Sequence, residues 1–215
     1  MALHGQSLVA LLTQEVARSR TSLQALSTPY PVPAPSKGSW RTLFGCWGGL
    51  TVVGLVGEVI AELGWPYETK VTFDYRRAQR TLRLDVRLLT LAQMGLALPV
   101  ISTNPLAVRW VALQPRERNE IYLRYVHCVT LRLIDTMFTE IAPVETVLLV
   151  AITKQPTDKA EEPRASCLLA CEAGRAQWRK LADDARRDAV EALTHFGLRR
   201  CIGAGAALEP INLPA

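Results

Sequence analysis

The sequence predicts an α+β fold: an N-terminal helix and a proline-rich strap, then a mostly antiparallel sheet packed against one long helix and a C-terminal helix. Three observations predict it. Apolar and polar residues alternate between Lys70 and Leu88, a helical apolar stripe runs from Arg116 to Ile141, and near-continuous apolar runs follow at Val144–Thr153 and Ala165–Glu172. Period-two alternation is typical of strands with one wet face, and strands grouped around helices favour an α+β arrangement.

Length and composition place the chain among globular proteins. It has 215 residues, of which 49% are hydrophobic and 21% are charged, and it carries a net charge of +5. These values exclude collagen, disorder and a disulfide scaffold as the main class, and the mild basic excess permits an anionic partner without requiring one. The five widely spaced cysteines are an odd number, which favours reduced thiols in a cytoplasmic protein.

Composition divides the chain into four parts. Leu8, Leu11, Leu12 and Val16 follow helical spacing near the N-terminus, and four prolines then occur within seven residues. Prolines at alternate positions favour an extended polyproline II conformation. We therefore predict an N-terminal helix at 1–26, a proline-rich linker at 27–41, an apolar glycine-rich segment at 42–66 and an α+β domain at 67–215.

The apolar glycine-rich segment has three alternative interpretations: core, interface or membrane-associated helix. Thr42–Gly57 contains no charge, but its sixteen residues span only about 24 Å as a helix, against about 30 Å for a bilayer core. Glu58 then interrupts the apolar run. We therefore expect a buried or partner-facing segment and do not expect a membrane partner. If it faces a partner, its assembly surface contains Trp47, Leu50 and Val53.

The elements after residue 70 follow from periodicity. Val71–Tyr75 and Leu82–Leu88 alternate on both sides of a short polar connection, which predicts an antiparallel hairpin. A further strand is expected at Ala107–Leu113, and Pro115 suits the first turn of the long helix because its missing N–H would be unbonded there. The C-terminal helix is expected at Asp183–Phe196.

Basic residues are concentrated on the predicted hairpin and the long helix. Residues 71–142 contain ten basic and six acidic residues. Arginines on the wet face of the hairpin suit the phosphates of nucleic acid, with Tyr75 available for base stacking, or an acidic protein partner. The alternative is a solvated strand face that prevents edge-to-edge pairing. The arginines in question are Arg76, Arg77, Arg80, Arg83 and Arg87.

The sequence contains no recognisable catalytic or metal-binding motif. Cys167 and Cys171 are expected on one buried face of a strand, as core thiols and not as metal ligands. There is no G-x-S-x-G, no G-x-G-x-x-G and no P-loop. Glu68-Thr69-Lys70 matches the E-x-K of two-metal nucleases only formally, because it precedes its strand. We therefore expect no enzymatic activity, no metal and no cofactor.

One succession of residues resembles a known family. The sequence is similar to the region that precedes the nuclease domain in Mrr-type restriction-endonuclease-like bacterial proteins, over about residues 68–197. The nuclease domain itself would follow residue 215, and the apolar segment stands where such proteins carry a charged coiled coil. The resemblance implies a non-catalytic module and transfers no active-site residue. It is carried by Tyr122, Leu131-Arg132, Phe138, the strand Val144–Ile152, Cys167-Leu168, Arg175–Trp178 and Gly197.

The function expected from these observations is binding and not catalysis. The first hypothesis is an accessory module of a bacterial DNA-targeting or antiviral defence system, which uses the basic hairpin for nucleic acid or for an acidic partner. The second is a structural subunit of a larger assembly, docked through residues 42–63. Both expect a protein partner or a homo-oligomer in the cytoplasm.

Overall fold

A six-stranded sheet and one long helix dominate the structure, a computed structural model that describes residues 51–65, 69–103, 106–154, 165–182 and 185–212. The predicted N-terminal helix, the proline-rich linker, Trp47 and Leu50 lie outside the described residues. The helices are α1 (Val52–Glu62), α2 (Pro115–Glu140), α3 (Arg175–Lys180) and α4 (Ala189–Ala192). The strands are β1 (Lys70–Arg76), β2 (Thr81–Leu88), β3 (Ala97–Thr103), β4 (Leu106–Ala112), β5 (Thr146–Lys154), β6 (Ala165–Gly174), β7 (Gly197–Ile202) and β8 (Leu208–Glu209).

The sheet order is β1-β2-β5-β6-β7-β8, and β3 and β4 form a separate hairpin. Strands β1 and β2 are antiparallel, as predicted, and so are all the other neighbours in the large sheet except β2 and β5. Those two strands are parallel because α2 carries the chain back across the sheet between them. The predicted α+β fold with a mostly antiparallel sheet is confirmed.

Helix α2 packs its apolar stripe on one face of the sheet. Leu133, Ile134 and Met137 have no exposed surface, and Leu82, Leu84 and Leu149 lie opposite them in the same core. Helix α1 joins this core through Val56, which is 0% exposed, and Val59. The glycine-rich segment therefore contributes a core helix where it is described. No described helix has the length and apolar character needed to cross a membrane.

Both ends of α2 are held by side chains. At its start the backbone N–H of Gln114 donates to a carboxylate oxygen of Glu117 at 3.1 Å, and Pro115 follows at the first helical position. At its end Arg175 is buried and donates to the carbonyl oxygens of Phe138 at 2.6 Å, Ile141 at 2.7 Å and Val144 at 2.6 Å. One guanidinium thus satisfies the Phe138 carbonyl, which the end of the helix leaves without a donor, and ties it to the carbonyls of Ile141 and Val144 just after the helix.

The C-terminal helix is shorter than predicted. Asp188 accepts hydrogen bonds from the backbone N–H groups of Val190 at 2.9 Å and Glu191 at 3.4 Å, so that α4 begins only after it. A 3₁₀ turn at Leu193–His195 follows, and the chain then enters β7. The expectation of one continuous helix over Asp183–Phe196 is wrong, because an internal capping residue interrupts the apolar periodicity that suggested it.

Strand β6 also departs from its predicted pattern. The register passes from Ala151 opposite Leu169 to Ile152 opposite Cys167, which leaves Leu168 as the extra residue of a β-bulge. Leu168 and Leu169 are both buried, and beyond the bulge the two faces of the strand exchange. The expectation that Cys167 and Cys171 share a buried face is therefore wrong: Cys171 is buried, whereas Cys167 lies half-buried on the opposite face.

Candidate nucleic-acid interface

The outward face of β1 and β2 carries the arginines of the predicted hairpin. The register places Lys70 opposite Arg87, Asp74 opposite Arg83 and Arg76 opposite Thr81. The apolar residues of the same strands point to the core, because side chains alternate between the two faces of a strand. All five predicted arginines are exposed. The sequence therefore identified a solvent-facing basic surface on this hairpin.

The middle of this face is electrically balanced. Nε of Arg83 lies 3.3 Å from a carboxylate oxygen of Asp85, and Nε of Arg76 lies 3.8 Å from one of Asp74. Exposed ion pairs of this kind contribute about 0–1 kcal/mol to stability and are screened by salt. Their main effect is to reduce the positive potential between the two ends of the hairpin.

The connection between β1 and β2 forms the first basic end. Residues Arg77–Gln79 make a 3₁₀ turn, and Arg80 closes it with a left-handed backbone at a φ of 50°. The carbonyl oxygen of Arg80 accepts from the backbone N–H groups of Glu145 at 2.9 Å and Thr146 at 3.3 Å, which ties the turn to the start of β5. Arg77 and Arg80 line a pocket of about 580 Å³ next to the start of α1.

The opposite end of the strands forms a second basic end that sequence reasoning did not find. Lys70 and Lys154 join Arg87 there, around a shallow pocket of about 160 Å³. Lys70 is Arg87's partner in the β1–β2 register, and Lys154 ends the strand that pairs with β2. Alternation alone places Lys70 on this face, whereas the position of Lys154 depends on the parallel β2–β5 pairing, for which the sequence has no local signal.

Tyr75 lies on the core side of β1 and lines the same pocket as Arg77 and Arg80. It is half-buried, its register partner is Leu82, and its hydroxyl donates to the carbonyl oxygen of Pro143 at 3.4 Å. The stacking role of Tyr75 stays a prediction: alternation places its ring on the same side as Val71 and Phe73, away from Arg83 and Arg87.

The predicted assembly surface is described only in part. Val53 is 49% exposed in the first turn of α1, whereas Val56 and Val59 further along the helix are buried. Its two predicted companions, Trp47 and Leu50, lie among the residues that are not described.

A second polar cluster lies between α2 and β7. His127 has no exposed surface; its Nδ1 lies 2.6 Å from the carbonyl oxygen of Leu123, and its Nε2 accepts from the guanidinium of Arg200. Burial lowers the pKa of His127 to about 4, so the ring is neutral at pH 7. Arg200 and Arg199 line an open groove of about 660 Å³ with Thr194, Phe196 and Asn212.

Cys128 and Cys171 are poorly suited to nucleophilic chemistry. Burial raises the pKa of the Cys128 thiol to about 11 and that of Cys171 to about 12, so both stay protonated at neutral pH. Within the described ranges no three His, Cys, Asp or Glu side chains form a cluster that suits a metal ion.

The residues that carry the family resemblance serve the fold. The Tyr122 hydroxyl donates to the carbonyl oxygen of Leu89 at 2.9 Å, and Arg132 donates to that of Gly64 at 3.0 Å. The indole N–H of Trp178 donates to Asp135 at 2.8 Å, and its ring centre lies 5.7 Å from that of Phe138. These side chains therefore hold α2 against the elements around it.

No family model matches the chain, and neither a curated protein nor a solved structure is significantly similar to it.

Proposed function

We propose that this protein is a non-catalytic binding module that contacts the phosphate backbone of duplex DNA through the outward face of β1, β2 and the end of β5. A setting in bacterial DNA targeting or defence is part of the proposal. The observation that carries it is an exposed surface of seven cations and three carboxylates among the described residues, on the outward strand face and on the turn and loop at its end. The cations are Lys70, Arg76, Arg77, Arg80, Arg83, Arg87 and Lys154, and the carboxylates are Asp74, Asp85 and Glu145.

The spacing of the two basic ends suits a duplex. Arg80 and Arg87 are seven residues apart along β2, about 23 Å at about 3.3 Å per residue. The major groove of a duplex is about 12 Å wide, so two basic ends about 23 Å apart can contact phosphates on both of its sides. The balanced centre of the face then lies over the groove between contacts.

The character of the face argues for sequence-tolerant binding. Base recognition requires an element that enters a groove, and β1 and β2 belong to a six-stranded sheet that is wider than the major groove of about 12 Å. Cations on such a surface neutralise phosphates and release counterions. The protonated thiols and the neutral His127 are consistent with a module without catalysis, and the free thiols of Cys128, Cys167, Cys171 and Cys201 are consistent with a reducing cytoplasm.

The experiment compares the salt dependence of DNA binding in two variants of equal charge change. Among the described residues Arg77 and Arg87 have no ion-pair partner, so Arg77→Ala with Arg87→Ala removes two free cations from the face. We expect the slope of log affinity against log salt to become about 1.8 less steep, since each duplex phosphate contact contributes about −0.9. Fluorescence anisotropy of a labelled short duplex, from about 50 to about 200 mM salt, measures this slope.

Arg179→Ala with Lys180→Ala is the matched control, because both residues are exposed on α3. This pair lowers the net charge equally and should leave the slope unchanged. Equal effects of the two double variants, or no binding by the wild type at micromolar concentration and low salt, would exclude the proposed interface.

A further inference from the structure

The β3–β4 hairpin stands apart from the large sheet. Its strands pair only with each other within the described residues, from Ala97 opposite Ala112 to Thr103 opposite Leu106. Its base is fixed, because the buried Met94 and Leu96 precede it and α2 follows. A two-stranded sheet on its own is marginally stable in water, so a firmly anchored but unsupported hairpin indicates a further contact.

Exposed apolar side chains are concentrated on this hairpin. Trp110 is 66% exposed, Val111 51% and Val100 45%. They are three of the five exposed large apolar residues among those described. Trp110 projects from one face of the hairpin, whereas Val111 and Val100, the register partner of Arg109, project from the other. Large exposed apolar groups mark interaction surfaces, and tryptophan is enriched where protein partners meet.

The two edges of the hairpin differ in their capacity to pair. Pro99 lies in β3 and has no backbone N–H, which confines such a strand to an edge. Strand β4, with the sequence LAVRWVA, has no proline, is rich in residues that favour strands, and contains one charge, Arg109. Natural edge strands are usually protected from unwanted pairing by charged side chains, by proline, or by a helix or loop that covers the edge. The β4 edge is therefore the one open to strand addition.

We propose that β4 pairs with β4 of a second copy of this chain, antiparallel about a twofold axis at Trp110, to give a four-stranded intermolecular sheet. The register follows from charge and side-chain type. An axis at Arg109 would place two guanidinium groups directly opposite each other, which is destabilising. An axis at Trp110 places the two indoles opposite each other and Arg109 opposite Val111 of the other copy, so each exposed apolar residue of β4 gains a cross-strand neighbour.

The size of this contact indicates a weak dimer. Five residue pairs, from 108 to 112, extend about 16 Å, and each indole buries at most about 150–250 Å². The total stays below about 1,200 Å², the range of transient complexes. We therefore expect a dissociation constant in the micromolar range, with the arginine face of each copy left open because it lies on the other sheet.

The first test measures oligomeric state at about 10–100 µM by light scattering and sedimentation. The wild type should be dimeric at the upper concentration, and Trp110→Lys should be monomeric. Val53→Lys is the matched control, since Val53 is also an exposed apolar residue but lies on α1. A monomeric wild type would overturn the proposal. So would a dimer that persists in the Trp110→Lys variant, or one that dissociates in the Val53→Lys variant.

The second test measures the register of the β4–β4 pairing by disulfide cross-linking, in protein that retains Trp110. In a background with Cys46→Ser and Cys201→Ser, one preparation carries Arg109→Cys and another Val111→Cys. Opposed residues have Cα atoms about 4.5–5.5 Å apart, within the range that a disulfide bridges, whereas residue 109 lies roughly 8 Å from its own symmetry mate. With diamide as oxidant, the mixture should form a cross-linked dimer and each preparation alone should not. Cross-linking of either preparation alone to the same extent would overturn the proposed register.

Discussion

His127 is a single buried residue that makes the stability of the folded protein depend on pH. The carbonyl oxygen of Leu123 only accepts hydrogen bonds, so Nδ1 of His127 carries the proton and Nε2 is the acceptor for Arg200. A protonated ring would lose that acceptor and place a second positive charge beside the guanidinium. Both burial and the neighbouring Arg200 lower its pKa, and burial is the larger cause.

We expect the protein to lose stability on acidification through this histidine. Its folded pKa of about 4 lies below the ordinary value of 6.5, so between these values the unfolded chain binds a proton that the folded protein does not. The contribution of neutral His127 to the free energy of unfolding is fully present above about pH 6.5. It falls by about 3 kcal/mol as the pH drops to about 4. Urea unfolding between pH 4 and pH 7 measures it.

His127→Gln should flatten this pH dependence, whereas His195→Gln should retain it because His195 is exposed. If both variants lose stability on acidification as steeply as the wild type, another group is responsible.

At the residue scale, the sequence was a good guide to which side chains are exposed to solvent. It was a poor guide to which residues those side chains contact. Alternation identified the exposed Arg83 and Arg87 correctly, since burial of the intervening leucines fixes the outward face. It did not show that Arg83 lies against Asp85, because side-chain conformation decides that contact. Nor did it identify Lys154, whose place depends on a pairing between strands far apart in the chain.

At the scale of elements, α2 organises the fold. Leu133, in the apolar stripe of this helix, is 0% exposed and lies in the core that α2 forms with the sheet. The polar groups at both helix ends, Glu117 and Arg175, fix where it begins and ends. Stability should therefore depend strongly on the apolar stripe of this helix.

We expect Leu133→Ala to lower the free energy of unfolding by about 2–5 kcal/mol, through lost burial and a residual cavity. Arg124→Ala, at an exposed position of the same helix, should change it by less than about 0.5 kcal/mol. Chemical denaturation followed by circular dichroism measures both. A loss below about 1 kcal/mol for Leu133→Ala would mean that the core relaxes around the site.

Elements whose apolar and polar residues repeat with a clear helix or strand period were predictable. Elements without such a repeat were not. The β1–β2 hairpin and α2 each present one apolar and one polar face, so their patterns are unambiguous. Strand β3 contains Pro99, a residue that argues against a strand, and its partner β4 was predicted alone. Strand β8 has only two residues, too few for any pattern.

At the scale of the whole described structure, segments distant in sequence share one core. The buried Val56 of α1 belongs to the same apolar cluster as Leu84 of β2, Leu133 of α2 and Leu193 near the C-terminal end. The proposed DNA-binding face likewise combines β1, β2 and β5. Composition marked residues 42–66 as different from the rest of the chain, but it contained no information about where Val52–Glu62 packs.

Because α1 contributes to this shared core, a change in it should weaken the entire domain and not only the helix. We expect Val56→Ala to lower the free energy of global unfolding by about 1–3 kcal/mol, whereas Val53→Ala, at a 49% exposed position, should change it by less than about 0.5 kcal/mol. Near-ultraviolet circular dichroism of the aromatic residues packed around α2 measures global unfolding in urea. If Val56→Ala leaves that transition unchanged and only lowers the helical signal, α1 unfolds independently of the sheet and does not stabilise it.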